Sequence, residues 1–162
     1  VPHVAQMVGD RNAARWLCET ASGCDGDEFR AIHDEWVPER AGKQIESMVR
    51  RFLGGEPLQY VLGRWGFRRL DLMVDRRVLI PRPETELIVE VALELNQRQP
   101  ISCFADIGTG SGCIAISLLD AWPHARAVAA DVSPAALQTS RLRPLAKSAP
   151  TQAPTRRATP SP

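Results

Sequence analysis

No stretch of the 162-residue sequence approaches the roughly 18 consecutive apolar residues that a membrane-spanning helix needs, so a helical membrane protein is excluded. The first residues also lack a basic segment followed by an apolar one, and the expectation is a cytoplasmic rather than a secreted chain. The four cysteines, Cys18, Cys24, Cys103 and Cys113, form no Cys-x-x-Cys pair and no Cys/His metal spacing. Reduced thiols and no metal centre follow. Aromatic residues make up only 6% of the chain, and residues 140–162 contain none. That last stretch has no acidic residue either.

The formal net charge of +1 hides this asymmetry. Residues 140–162 hold Arg141, Arg143, Lys147, Arg156 and Arg157, with five of the 13 prolines. The preceding residues hold 15 Lys+Arg against all 19 Asp+Glu, a net of −4. A basic segment rich in Pro, Ser, Thr and Ala cannot bury enough apolar surface to offset its ordering entropy, so residues 140–162 read as a disordered tail. Basic tails can touch RNA. Without an aromatic to stack on a base, the case for direct nucleic-acid binding here is weak.

Residues 1–8 read as a loose leader. Asp10 is a candidate N-cap for a helix reaching about residue 21, closed by Ser22-Gly23. A short helix follows from near Asp25 or Asp27 and carries Phe29, Ile32 and Trp36. Pro38 stands at a helix start, where its missing N–H costs nothing. Ala41, Ile45, Met48, Val49 and Phe52 then fall on one apolar stripe, and Gly54-Gly55 ends it. Residues 1–55 are expected to form a helical bundle.

The period changes after Gly55. Residues 58–62, 66–74 and 77–80 are short and rich in β-branched and aromatic side chains, and they read as a β-hairpin connector within residues 56–83. Residues 84–96 read as a helix with Leu87, Ile88, Val91, Ala92 and Leu95 on one side. Residues 101–106 form an expected strand, 112–121 a helix and 126–131 a second strand; Pro134 opens another helix that loses its pattern near Ser140. Strand, glycine turn, helix and strand make a βαβ unit, so the fold class is α/β, with the start of a doubly wound sheet in residues 84–139. Two parallel strands alone leave unpaired edges, and residues 100–139 are expected to be marginally stable and aggregation-prone.

The chemistry concentrates in Asp106-Ile-Gly108-Thr109-Gly110-Ser111-Gly112-Cys113, between a strand and a helix. Glycines let the chain turn tightly and let a ligand approach the backbone. The helix start is expected to offer free N–H groups. Asp131 ends the next strand, 19 residues past Gly112, where a carboxylate can accept both hydroxyls of a ribose. A nucleoside-containing cofactor is implied. The spacing is GxGxG, and Cys113 stands where a dinucleotide fingerprint wants a third Gly or Ala. Asp106 would repel a pyrophosphate and suits the amino and sulfonium charges of S-adenosylmethionine. The alternative, a structural turn in an α/β protein, stays open. His3, His33 and His124 are scattered and read as surface or core residues. Trp16, Trp36, Trp65 and Trp122 read as packing residues, and Tyr60 as an aromatic with a tethered hydroxyl.

Four segments together resemble one family. Glu56-Pro-Leu-Gln-Tyr60-Val-Leu-Gly63 with Gly66-Phe67, then Val78-Leu-Ile-Pro-Arg82-Pro-Glu-Thr-Glu86, then the glycine turn, then Ala130-Asp131-Val-Ser, are similar to the release-factor glutamine N5-methyltransferases of the HemK type. The resemblance runs from about residue 10 to 139. It implies a bundle that helps dock a peptide chain release factor. It also implies a class I (Rossmann-like) methyltransferase domain of seven strands, of which this sequence holds only the first part. The reaction it implies is methyl transfer from S-adenosylmethionine to the glutamine of a Gly-Gly-Gln loop. By the same resemblance Gly108, Thr109, Gly110, Ser111 and Gly112 cradle the methionine part of the cofactor, Asp106 lies near its amino group and Asp131 holds the ribose. Arg82, Pro83, Glu84 and Thr85 line the cofactor side, although Glu84 and Glu86 equally suit a helix N-terminus.

One departure stands out. The family's substrate-orienting motif is Asn-Pro-Pro-Tyr, which aims a poorly nucleophilic amide nitrogen by hydrogen bonds. The only asparagines in the sequence are Asn12 and Asn96, and neither precedes Pro-Pro. The expectation is a frameshifted or truncated chain that has lost catalysis and, in the alternative reading, acts as a non-catalytic release-factor-binding fragment. A dinucleotide-dependent oxidoreductase is disfavoured by Asp106 and Cys113. A nucleic-acid adenine methyltransferase is disfavoured by the 81–86 motif and the helical N-terminus. Translating the coding DNA downstream of codon 139 in the other two frames tests the frameshift. An Asn-Pro-Pro-Tyr stretch is expected there, and its absence from both frames rules the frameshift out.

Overall fold

The computed structural model describes residues 1–24, 26–32 and 38–140. The expected tail from residue 141 on, Trp36 and His33 therefore lie outside the described residues, while Ser140, expected as the tail's first residue, ends a helix. The first helix, α1, spans Pro2–Val8, so the leader expected over residues 1–8 is corrected. Pro2 occupies the first turn, Gly9 closes the helix at φ 72 with its N–H on the Ala5 carbonyl, and Val4 is buried in the bundle core. α2, Arg11–Ser22, starts at Asp10, whose carboxylate accepts the N–H groups of Asn12 and Ala13. α3 spans Gly26–Ile32 and α4 spans Glu39–Leu53. Their buried faces meet in one cluster built on Val4, Ala14, Leu17, Cys18, Phe29, Met48 and Val49.

Residues 58–62, expected as a strand, form a helix instead. α5, Leu58–Leu62, is bounded by Pro57 and by Gly63 at φ 74, and packs Val61 into the bundle core. Leu58, Gln59 and Leu62 are good helix formers, and with the stop at Gly63 they outweigh the β preference of Tyr60 and Val61. The hairpin is shorter than expected. β1, Arg64–Phe67, pairs antiparallel with β2, Leu70–Met73, around Arg68-Arg69. Residues 77–80 form no strand. The Asp75 carboxylate accepts the Arg77 N–H and pairs with its guanidinium, which makes a turn there. Tyr60 donates its hydroxyl to the Val78 carbonyl at 2.7 Å, as its tethered role required.

A 3-10 turn at Pro83–Thr85 leads into α6, Glu86–Arg98. β3, Cys103–Ile107, and β4, Arg126–Ala130, are parallel and flank α7, Cys113–Ala121; α8 spans Pro134–Ser140. This is the α/β class with the opening of a Rossmann-like sheet. The apolar side expected for α6 faces outward: Leu87, Ile88, Val91 and Leu95 are exposed, while Val89 is fully buried beside Ala92 and Leu93. The strand pair is too narrow to cover both sides of the helix.

The hairpin ties the bundle to the strand pair. Phe67, Leu70 and Leu72 enter the cluster of Val89, Leu118 and Trp122, and Trp65 meets Trp16 of α2 edge-to-face at 5.7 Å. Arg68, at φ 52, donates its N–H to Glu86, and Arg69 pairs with Asp120 of α7 at 2.6 Å. On the bundle side Arg51 grips Glu56 through two 2.8 Å bonds and reaches the carbonyl of Tyr60, while Arg76 joins Glu56 from beyond β2.

The bidentate Arg51 contact, reinforced by Arg76, holds the Glu56 carboxyl down at about 2 from an ordinary 4.5. A folded-state value below the unfolded one stabilises the fold above the unfolded value, and the benefit fades as pH falls through the folded value. Glu56→Gln is therefore expected to lower stability at pH 7. The gap to wild type should close between about pH 4.5 and 2, as read by urea unfolding across pH. A gap independent of pH would refute the ionic role.

Candidate functional site

The glycine turn joins β3 to α7 and folds back on the end of β4. Gly108, Gly110 and Gly112 have φ of 80, 54 and 80, where a side chain is strained. A Cβ at Gly108 or Gly110 would meet nothing within 4 Å, so backbone conformation, not crowding, demands glycine there. The space beside both is open to an approaching ligand.

The expectation of free N–H groups holds at the helix start, where those of Ser111, Cys113 and Ile114 have no acceptor among the described residues, and fails in the turn before it. Gly108 and Thr109 both donate to the Ala130 carbonyl, at 2.8 and 3.0 Å, and Gly112 donates to the Thr109 carbonyl. Gly110 donates to Asp131 Oδ2 at 2.8 Å. The neighbouring strand end reaches these donors first. The stretch from Gly108 to Gly110 thereby offers no donor to a phosphate, a ligand normally bound by such N–H groups; the remaining donors lie at the helix start.

The carboxylates are brought together with the turn. Asp106 is buried; its Oδ2 accepts the Thr109 hydroxyl at 2.7 Å and the Ala115 N–H at 3.3 Å. Asp131 accepts Gly110 through Oδ2 and Ser133 through Oδ1, and these two N–H groups hold its carboxyl below the usual range. A carboxylate offers about four acceptor directions, so both acids keep capacity for a ligand. Ser111 is buried, and burial pushes the Cys113 thiol up, which leaves it unreactive packing. Arg82 and Pro83 are exposed at the 3-10 turn, and no hydrogen bond of the glycine turn includes them. Sequence reasoning missed the Ala130 carbonyl and Ser133. A backbone acceptor carries no side-chain signal, whereas the Asp131-x-Ser133 spacing is a readable turn pattern.

Cavities of about 570 Å³ beside Arg68, Glu86 and Ser117, and of about 540 Å³ in the bundle beside Val4, Phe29 and Ile45, do not touch the turn. In the first the acids of the lining are held by Arg68 and Arg69, and in the second burial pushes the Cys18 thiol up, so the turn is the better candidate by its chemistry. Among the described residues no group of His, Cys, Asp or Glu is placed to hold a metal, and no helix is long and apolar enough to cross a membrane.

Residues 5–63 match the family model of the PrmC N-terminal domain. Over 138 residues the chain is 42% identical to a release factor glutamine methyltransferase of Koribacter versatilis, covering 85% of this chain and 49% of that protein. It is 44% identical over 110 residues to the protein of that name in Moorella thermoacetica, covering 68% and 38%. The Chlorobaculum tepidum protein of that name is 47% identical over 107 residues, covering 61% and 36%. The chain spans about half the length, or less, of the curated relatives it matches.

Because Thr109 and Asp106 are both buried, Thr109→Val should cost about 1.5–3 kcal/mol, the range for a hydrogen bond to a charged group. Urea unfolding checks this, and an unchanged midpoint would show that the bond does not hold the turn.

Proposed function

This chain belongs to the release factor glutamine methyltransferase family, and we propose that its glycine turn is the methyl-donor site, shaped for S-adenosylmethionine. The observation that carries the reading is the placing of two carboxylates, Asp106 and Asp131, on a glycine turn whose first three N–H groups are taken within the protein. The turn's N–H groups at Gly108, Thr109, Gly110 and Gly112 are spent within the protein, while Asp106 and Asp131 flank it. Such a cradle attracts a cation and accepts hydroxyls, and its two carboxylates repel a pyrophosphate. The cofactor would supply an electrophilic methyl group on a positively charged sulfur.

In this reading Gly108, Thr109, Gly110, Ser111 and Gly112 pass along the methionine portion. Asp106 faces its amino group, Asp131 takes the ribose hydroxyls, and Arg82 and Pro83 border the same side. Residues 1–55 are the docking bundle, 56–83 the connector and 84–139 the cofactor-binding part. The methyl acceptor is the glutamine of a Gly-Gly-Gln loop in a peptide chain release factor. The 162 residues contain no Asn-Pro-Pro-Tyr, so the chain by itself lacks the group that would orient that glutamine. The match of residues 5–63 to a named N-terminal domain supports a second reading, a fragment that binds the release factor without methylating it.

Calorimetry with S-adenosylmethionine and with NAD separates a cationic from a dinucleotide ligand. Binding of the first alone is expected, weakened about tenfold by Asp131→Asn through loss of a charge-assisted hydrogen bond. NAD binding instead would overturn the assignment. Methyl transfer to a purified release factor is expected to be nil with this chain alone, and turnover would contradict the role assigned to the missing asparagine.

A further inference from the structure

The connector beyond β2 is held by side chains where a strand would be held by a ladder. Residues 77–80 form no strand, so the Val78 carbonyl has no strand partner. It accepts the hydroxyl of Tyr60 in α5 at 2.7 Å, while the Val78 N–H goes to the Asp75 carbonyl at 3.1 Å. A buried residue such as Val78 needs both of its backbone groups satisfied in this way. α5 is itself fixed to the bundle. Val61 lies in the bundle core, and Arg51 of α4 donates to the Tyr60 carbonyl at 2.9 Å.

From Val78 the contacts lead on to the turn. Val78 is buried with Val74 of the connector and Ala136 of α8, and the rings of Tyr60 and Trp65 pack against the three. Among the described residues of α8, Ala136 is the side chain that joins an apolar cluster. Its N–H lies 3.1 Å from the Ser133 carbonyl and 3.3 Å from the Ser133 hydroxyl. The Ser133 N–H donates to Asp131 Oδ1 at 2.8 Å, and this bond, ahead of the one from Gly110, holds the Asp131 carboxyl below the usual range. An unbroken run of contacts thus joins Tyr60 to the acid that follows β4.

We propose that Tyr60 is a positioning residue for Asp131. By holding the Val78 carbonyl, its hydroxyl keeps Val78 seated on Ala136, which sets the start of α8 and with it Ser133. Ring and hydroxyl have separate parts: the ring fills space beside Val78, and the hydroxyl fixes where the connector lies. Through this bond the helical bundle acts on the candidate cofactor site. The consequence for cofactor affinity rests on the reading of Asp131 as the acid that takes the ribose hydroxyls; the positioning of Asp131 does not.

Tyr60→Phe deletes the hydroxyl and keeps the ring. Without cofactor, NMR is expected to show its Asp131 carboxyl titrating nearer the ordinary carboxylate range, with Ser133 amide exchange faster by about fivefold or more. Calorimetry is expected to show S-adenosylmethionine binding weakened by about threefold or more. Val4→Ala, which loosens the bundle core away from Tyr60, should move none of these readings. The proposal is overturned by an Asp131 titration and Ser133 exchange that Tyr60→Phe leaves unchanged, or by an equal response in Val4→Ala. It is also overturned by wild-type binding that Tyr60→Phe leaves unaltered, or by loss of the native circular dichroism in Tyr60→Phe, which would make the hydroxyl a general prop. A shifted Asp131 in a chain whose wild type does not bind S-adenosylmethionine supports the positioning and overturns the cofactor reading alone.

Discussion

The carbonyl of Ala130 is the anchor on which the candidate site depends. By accepting the N–H groups of both Gly108 and Thr109 it bends the turn after β3 onto the end of β4. Asp131, the next residue, then reaches Gly110. Two strands in parallel register thus determine which donors the turn retains. A glycine-rich turn is often treated as an anion cradle because its N–H groups point outward. In this turn those of Gly108, Thr109, Gly110 and Gly112 are consumed, and two carboxylates flank them. The electrostatic preference of the turn follows from that register.

The hairpin gives the turn its surroundings. Arg68 and Arg69, at its tip, bind Glu86 of α6 and Asp120 of α7, while Phe67 and Leu72 fill the core beneath. At its base Arg51, Glu56 and Arg76 fasten it to the bundle. Exposed ion pairs contribute little singly. This set is different because the Glu56 side chain is only 10% exposed and is shared by two guanidiniums, Arg51 from α4 of the bundle and Arg76 from beyond β2. The bundle is therefore held against the hairpin by a charge network as well as by Trp16 and Trp65.

Much of this was legible in the sequence, for identifiable reasons. Asp10, Gly23, Pro38 and Gly54 bound α2 and α4 because caps act locally, and the βαβ unit declares itself through a glycine turn between apolar strands. α5 was illegible because Tyr60 and Val61 in so short a segment were weighed above the helix-forming Leu58, Gln59 and Leu62 and the stop signal of Gly63. The stretch at 77–80 was illegible because Asp75 takes a backbone N–H that a strand would need. For α6 the period revealed a helix, but both of its sides are apolar, and only the width of the sheet decides which is covered. In the site, Asp106 and Asp131 were readable as acids beside a glycine turn. The destination of the turn's N–H groups was not, because their acceptors come from a strand end some twenty residues away.

The central claim is that the donors of Gly108, Thr109 and Gly110 are committed inward before any ligand arrives. Amide hydrogen exchange of the ligand-free chain, resolved by NMR at Gly108, Thr109 and Gly110, tests it most directly. Slow exchange at all three, lost at Gly110 alone in Asp131→Ala, is the expected result. Rapid exchange at Gly108 and Thr109, with the rest of β3 protected, would mean that these donors are free and that the turn is a cradle for anions, not for a cationic methyl donor.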